Sequence, residues 1–570
     1  MQRYLFVVLI ILIAFGLRFW NVASNPQGLY YDEIDAGYQA RSILQTGKDY
    51  RGGFSPFYLN SFLDPRPPIP IYLTVLSTAF FSNPELQVRM GQVLLGTLNV
   101  GLFFWLIYKW SRNYWLGIIG MLVAATNPWW IQFSRYNHEA HTTIFFPIIA
   151  LILLLYGLEQ KKLKYFLGAT CMVALSIFTY RTMSLLTVVI FISVITVYFS
   201  QLRQILSLKQ AIALIGCFLL ITSSMVIATT FLAKDKPRIA QIAIFVDPAT
   251  PIQIQRDREL DSGDLDSPDI GKQATLMSFI FHNKVESYLS EFIRSYYSAF
   301  STDFLFSSGD KNHRHSIKGQ GMVFYTDIIL IGFGIYFMFK YRSDPFLKLM
   351  LLLFFLSPIP SSLTQDGSAH ASRMFFYSFP LLFIITCGWY FFYQSVRKIN
   401  FGNLIILLLV SCYLALFTFY LHQYHLHYKI DSGRWFSSPY KSAMQKIMEY
   451  QSSFDHIVMV PHPDPPNLHL LFWGDIKPVD AQSFGTNYNE TKNDGSFLDK
   501  FKVVDLPKST SDLVEVLQPK TLYLVTQQEL NEDLRNGKKP PAGIDLLEVI
   551  TYPDKEVAFY LIKKSDRINQ

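Results

Sequence analysis

The stretch Gln210–Leu232, QAIALIGCFLLITSSMVIATTFL, holds no charged residue in 23 positions, and its only polar side chains are those of Gln, Ser and Thr. At a rise of about 1.5 Å per residue such a run crosses the roughly 30 Å hydrocarbon layer of a bilayer, and it lacks the charged face of a soluble surface helix. Working outward, the pattern recurs at residues 4–22, 86–108, 114–132, 142–158, 164–180, 183–200, 323–340, 346–360, 374–395 and 402–422, which with 210–232 makes eleven candidate spans. Composition agrees: of the 570 residues 51% are hydrophobic and only 16% charged, against roughly 25% charged in soluble proteins. The 49 Phe and 33 Tyr fall largely in these uncharged runs, more than a soluble core of ordinary size absorbs. The predicted fold class is therefore an α-helical polytopic membrane protein, with the lipid bilayer as its first partner.

The formal charge of +7 does not point to nucleic acid, because the basic residues sit in short clusters between apolar runs and not along one amphipathic face. Those clusters set orientation. With the N-terminus cytoplasmic, the inner loops hold Lys109 and Arg112, Lys161, Lys162 and Lys164, Arg203 and Lys209, Lys340, Arg342 and Lys348, and Arg397 and Lys398. The outer segments are then 23–85, 133–141, 233–322, 361–373 and 423–570, plus a turn at Tyr180–Arg181. Pro67–Phe81 is short and opens on prolines, and reads as a helix embedded at the outer surface. Residues 4–22, without a small-x-small cleavage site after them, read as a retained anchor, with Arg18 and Trp20 at an interfacial helix end. Cys171, Cys217, Cys387 and Cys412 all lie in apolar stretches with no C-x-x-C pair, so they imply neither a disulfide framework nor a zinc site.

From about Lys429 the character changes. The β-like runs His456–Val460, Thr521–Val525 and Val557–Ile562 and a helix at Ser442–Tyr450 predict a small α/β domain outside the membrane, dividing the chain into residues 1–428 and 429–570. The outer loop 233–322 reads as an acidic stretch, Arg256–Asp269, followed by an amphipathic helix over about 273–297.

Ionisable residues beside membrane spans are functional candidates when topology does not need them. Nearly all such residues face outward: Tyr31-Asp32-Glu33-Ile34-Asp35, Asp64-Pro65-Arg66, Ser134–His141 with Arg135, His138 and Glu139, Ser308–Ser316 with His313 and Arg314, and His370-Ala371-Ser372-Arg373. A partly buried carboxylate can take a proton from a hydroxyl, and Arg and His at the same level can hold a phosphate. That combination suits displacement of a lipid-linked phosphate from a sugar by a hydroxyl. Each motif also has a simpler reading. Asp32 and Glu33 suit the N-terminus of a helix starting near Ile34, a lone Arg135 suits snorkelling, and Arg135, His138 and Glu139 at three- and four-residue spacing pair on one helix face. His313-Arg314-His315 reads equally as a solvated loop. His422, His425 and His427 resemble a metal cluster, yet they fall where an aromatic, polar belt belongs. Asp261–Asp266 lacks the twelfth-position Glu of a calcium loop, since Lys272 stands there, and Asn489-Glu490-Thr491 is a lone sequon.

On these stretches the chain resembles the GT-C class of lipid-carrier-dependent glycosyltransferases, in the group of protein O-mannosyltransferases and the lipid A aminoarabinose transferase. The matching residues are Tyr31–Tyr38 with Thr46-Gly47-Lys48-Asp49, Asp64–Tyr72, Val88-Arg89 through Gly96, Asn127-Pro128-Trp129 through Glu139, Gly309–Ser316 and Pro358–Arg373, roughly the first two thirds of the chain. The resemblance implies transfer of one sugar from a polyprenyl phosphate, with inversion, to a protein, glycolipid or polysaccharide hydroxyl at the outer face of the plasma membrane. It implies Asp32 as general base with Glu33 beside it, and gives Glu139 a role in orienting the acceptor or an Arg. Arg66, Arg135 and Arg373, with His370 and His138, are assigned to the phosphate from charge and side, and His313 and Arg314 join the substrate-binding set. No metal ligand is assigned. The His-rich surround departs from the family pattern, however, and related oligosaccharyl transferases require a metal, so a divalent metal stays open. The alternative is a transporter or flippase for a polyprenyl-linked glycan. Transporters tend to carry internal repeats and polar residues near the midplane, whereas here the polar residues gather at one surface.

Overall fold

The computed structural model describes residues 2–61, 65–232, 242–262, 276–483, 495–498, 500–535 and 538–565. Among the described residues, seven helices are long and apolar enough to cross a membrane: 84–111, 139–160, 183–205, 208–231, 345–362, 375–396 and 402–435. A bent pair, Tyr114–Thr126 and Pro128–Ser134, broken by 59°, is long and apolar enough only when its two helices are taken together, as a broken span or a re-entrant loop. Its break follows from sequence, because Pro128 offers no N–H and forces Asn127 out of helical dihedrals, to φ −65°, ψ 128°. Asn127 then caps the second helix by accepting from Trp130 N–H. The other three expected spans, 4–22, 164–180 and 323–340, are shorter helices, Gln2–Phe19, Leu163–Leu175 and Asp327–Lys340. The chain is a multi-pass membrane protein.

Exposed leucines mark the lipid-facing surface. Leu404, Leu407, Leu408 and Leu414 on the last span are all more than half exposed, a pattern that only an apolar solvent tolerates along a whole helix. Inside the bundle, the helices Asp327–Lys340 and Ser378–Val396 approach backbone to backbone. A Cβ on Gly334 would lie 2.1 Å from Ile384 O, and one on Gly388 would lie 1.9 Å from Leu330 O, so only glycine fits either position. One end of the bundle is tied by ion pairs of Lys109 and Arg112 with Glu159 and by Trp110 Nε1–H donating to Asp344 at 3.0 Å.

The other end carries the connecting segments that hold the candidate residues. We label the first helices α1 (Gln2–Phe19), α2 (Tyr31–Thr46), α3 (Pro68–Phe80), α4 (Pro84–Ser111), α5 (Tyr114–Thr126) and α6 (Pro128–Ser134). Short α3, the helix expected at the surface, packs on α2 and α4 with Ile71 buried and Phe80 exposed. Arg18 is not at an interface but fully buried, donating to the carbonyls of Ala14, Ala124 and Ala125. The amphipathic helix expected over 273–297 is two helices, Leu276–Phe281 and Lys284–Ser298, because Asn283 accepts from the N–H groups of Val285 and Glu286 and starts a new one. Asp64, the sequon at 489–491, the residues of the acidic stretch beyond 262 and those of the expected helix before 276 lie outside the described residues.

The last span runs on as helix past residue 428 to Trp435. Beyond it, strands β1 (His456–Met459), β2 (Gly495–Phe497), β3 (Phe501–Val503), β4 (Thr521–Val525), β5 (Ile544–Thr551) and β6 (Val557–Lys564) form one sheet in the order β2-β3-β1-β4-β6-β5. β3, β1 and β4 run parallel, and the remaining pairs are antiparallel. The three strands and the helix expected from sequence are present with shifted ends: the first strand stops at Met459, the last runs on to Lys564, and the helix starts at Pro439. This domain packs on α2: Arg41 lies 3.9 Å over the Phe472 ring and donates to Phe472 O, and Tyr38 O–H donates to Ile476 O at 3.0 Å. Its helix Pro466–Trp473 and the turn after it thus brace the helix that presents Asp32.

Candidate active site

Successive residues of a helix point about 100° apart, so two adjacent acids in a first turn cannot serve the same neighbour. Helix α2 begins at Tyr31, and Asp32 and Glu33 diverge accordingly. Glu33 is fully buried: Arg89 Nε donates to Oε1 at 2.9 Å and its Nη2 to Oε2 at 3.0 Å, and Asn137 N–H donates to Oε1 at 2.9 Å. The same guanidinium donates to the carbonyls of Val22, Pro26 and Gly28, tying the chain before α2 to α4. Glu33 is thus built into the structure and is closed off from solvent.

Asp32 turns the other way, toward Arg66, whose Nη2 lies 2.5 Å from Oδ1. Arg66 Nε donates to Asp35 Oδ2 at 3.0 Å, and its Nη1 reaches Glu139 Oε1 at 3.4 Å. Asp35 stands three residues after Asp32, on the same side of α2, and its Oδ1 accepts from Tyr50 O–H at 2.6 Å and Ser61 O–H at 2.9 Å. Arg66 is fixed by a two-way backbone bridge with Leu59. One guanidinium therefore gathers three carboxylates from two distant segments, of which Asp32 is the most exposed, at 40% against 15% for Glu139 and 1% for Asp35. Burial raises both aspartic acids. At Asp32 the charge and hydrogen bond of Arg66 outweigh it and hold the carboxyl at about 2, whereas at the deeper Asp35 burial wins and the carboxyl is raised.

Arg314 lies near this group, with its guanidinium 4.9 Å over the Tyr30 ring and its Nε donating to Asn312, close enough to Asp32 to help hold it ionised. His138 caps its own loop by accepting from Ala140 N–H at 3.0 Å. Its ring sits among Phe133, Tyr136, Tyr180 and His315, and burial keeps it neutral, far below the usual imidazole range. Behind it, His315 Nδ1 lies 2.7 Å from Asp310 Oδ2, and His370 Nδ1 lies 3.8 Å from the same oxygen. Burial raises Asp310, but the two imidazoles and the Asn312 N–H outweigh it and hold it at about 2, while burial beside His315 and Arg373 pushes His370 down to about 3.

The structure thus brings together Asp32, Arg66, His138, Glu139 and Arg314, with His370 at the edge. Arg135 does not join them. It is fully buried and donates to the carbonyls of Leu17, Arg18, Trp20 and Asn25, neutralising the C-terminus of α1. Nor do Arg135, His138 and Glu139 share a helix face, because α6 ends at Ser134 and a 3-10 helix starts at Glu139. His313 packs on Trp435, 5.2 Å between ring centres. Arg373 donates to Thr364 Oγ1 at 2.6 Å and Gln365 O at 2.5 Å. Sequence reading passed over Asp35, Tyr50, Asp310 and His315 as individual sites. The three-residue spacing of Asp32 and Asp35 was a usable signal for the first of these. Nothing in sequence marks Tyr50, and the five-residue gap from Asp310 to His315 follows no helix or strand period.

Residues 65–240 match the family model described as dolichyl-phosphate-mannose-protein mannosyltransferase. No curated protein matches the sequence. Among solved structures, ArnT from Cupriavidus metallidurans in the apo state is similar with a TM-score of 0.52 and 12% identity, over 98% of this chain and 97% of that one. The chain has the ArnT fold. ArnT bound to undecaprenyl phosphate gives 0.51 and 12%, with the same coverage, so the likeness to ArnT takes in the C-terminal sheet domain as well as the bundle. The apo oligosaccharyltransferase of Archaeoglobus fulgidus scores 0.48 at 12% identity, over 92% of this chain and 69% of that one. The resemblance to GT-C glycosyltransferases expected from the sequence holds in the family model and in the ArnT fold.

Proposed function

We propose that the protein transfers a single sugar from a polyprenyl-phosphate carrier to an acceptor hydroxyl at the outer face of the plasma membrane, with inversion at carbon one. The observation that carries this reading is the Asp32–Arg66–Glu139 constellation, set at one end of an ArnT-like bundle with Asp32 its most exposed carboxylate. The basic end with Lys109 and Arg112 lies opposite, on the cytoplasmic side by the positive-inside rule. Asp32 takes the hydroxyl proton as the acceptor oxygen bonds to carbon one, and the bond from that carbon to the phosphate oxygen breaks, releasing polyprenyl phosphate. Arg314 meets the departing phosphate, and Arg66 and Glu139 hold Asp32 and the acceptor in place.

Mass spectrometry tests the reading. Purified protein incubated with a panel of polyprenyl-phosphate sugars and acceptor extract should release polyprenyl phosphate and add one sugar mass to an acceptor. No turnover of any donor, with movement of donor between leaflets in liposomes, overturns it. Arg314→Ala should raise the KM for donor about ten- to a hundredfold, the worth of a charge-assisted hydrogen bond, as measured by initial rates.

The pH profile tests the role of Arg66. Because Arg66 lowers the Asp32 carboxyl to about 2, the base stays ionised and the acid limb of kcat/KM lies far below neutrality. Removing the cation in Arg66→Gln should move that limb upward by roughly a unit or more, whereas Arg66→Lys should leave it nearly in place.

A further inference from the structure

A second cluster stands apart from the carboxylates gathered by Arg66. One carboxylate oxygen of Asp310 and one ring nitrogen each from His315 and His370 lie within 4.8 Å of one another. The side chains of Asp310 and His315 are nearly buried, and that of His370 is 23% exposed. They come from two loops distant in sequence, Gly309–Ser316 and the loop before the span 375–396. Both nitrogens converge on Oδ2, His315 Nδ1 at 2.7 Å and His370 Nδ1 at 3.8 Å.

From this geometry we infer that Asp310, His315 and His370 form a divalent metal site, with zinc as the ion its donors fit. Two imidazoles and a carboxylate are the borderline set that zinc prefers over magnesium or calcium, and three protein ligands leave a fourth position for water. Donors around zinc at about 2.0–2.1 Å stand roughly 3.3 Å apart, so binding opens the 2.7 Å contact of His315 with Asp310, draws in the 3.8 Å contact of His370, the most exposed of the three, and takes His370 Nδ1 from Ser372 Oγ, 3.1 Å away. The carboxylate is already oriented: Oδ1 accepts from Asn312 N–H and Oδ2 from Ala371 N–H, both at 2.8 Å. The ligand loop is closed on itself by Ser316, whose Oγ accepts from Asp310 N–H at 3.1 Å and donates to Asp310 O at 2.9 Å. Such outer bonds hold metal ligands in place. Binding exchanges the Nδ1–H of His315 for a Nδ1 lone pair.

The site would steady the loop carrying Arg314 against the loop carrying Arg373. It does not depend on the transfer reading, because these loops would hold an ion whatever the reaction. The test is on the full-length protein in detergent, stripped with a chelator and then titrated with Zn2+. Elemental analysis should find one equivalent per chain, and Co2+ in its place should give the visible bands of a tetrahedral site. His370→Ala should weaken Zn2+ binding by more than about a hundredfold, beyond the loss expected for an outer-shell residue, and His370→Cys should restore it. His425→Ala, in the histidine group at the end of the last span, should change nothing. An equivalent that survives in a monodisperse His370→Ala protein, or no retained Zn2+ in the wild type, overturns the site.

Discussion

Asp32→Asn is expected to lower transfer by about 10²–10⁴-fold while leaving the protein folded and inserted. The amide keeps the shape of the carboxylate but cannot take the hydroxyl proton, so the loss falls on kcat and not on donor KM. Folding should survive, because Arg66 keeps Asp35 at 3.0 Å and Glu139 at 3.4 Å when the charge at Asp32 is gone. Asp32 is also the most exposed of the three acids, so the mostly buried Arg66 keeps its two more buried carboxylates. Product mass spectrometry, paired with size-exclusion chromatography of the variant, checks both halves. A folded Asp32→Asn protein with wild-type turnover would remove Asp32 from the chemistry and leave Glu139, the next most exposed acid on Arg66, as the group to examine.

What the sequence made legible was set by periods and runs. Uncharged runs gave the spans, and short β-like runs set between polar connections gave β1, β4 and β6. Arg66 and Glu139 could be named as candidates but not as partners of Asp32, since their contact spans 73 positions and rests on the fold of α3, α4 and the loop after α6. The same limit explains Arg135. An arginine at the end of a span reads as a phosphate ligand or a snorkelling group, and only the packing of α1 against α6 shows that carbonyls surround it. Glu33 shows the limit most sharply: adjacency to Asp32 suggests a shared task, whereas helix geometry sends the two side chains to opposite duties.

That division makes the second prediction. Replacing Glu33 by Ala should destabilise the protein by about 3–5 kcal/mol, because it leaves the fully buried Arg89 charge without its carboxylate. The loss should spread beyond the pair. Asn137 N–H would lose its acceptor, and Arg89 would no longer be held where it meets the carbonyls of Val22, Pro26 and Gly28, which fix the approach to α2. Removing both partners together, in Glu33→Leu with Arg89→Met, should cost less than the two single changes summed, since no unpaired charge remains. Thermal unfolding in detergent, followed by tryptophan fluorescence, measures the three variants side by side. If Glu33→Ala melted with the wild type and lost only turnover, Glu33 would belong to the chemistry with Asp32. The expected pattern is the reverse, with a large loss of stability for Glu33→Ala and a large loss of turnover with little change in melting for Asp32→Asn.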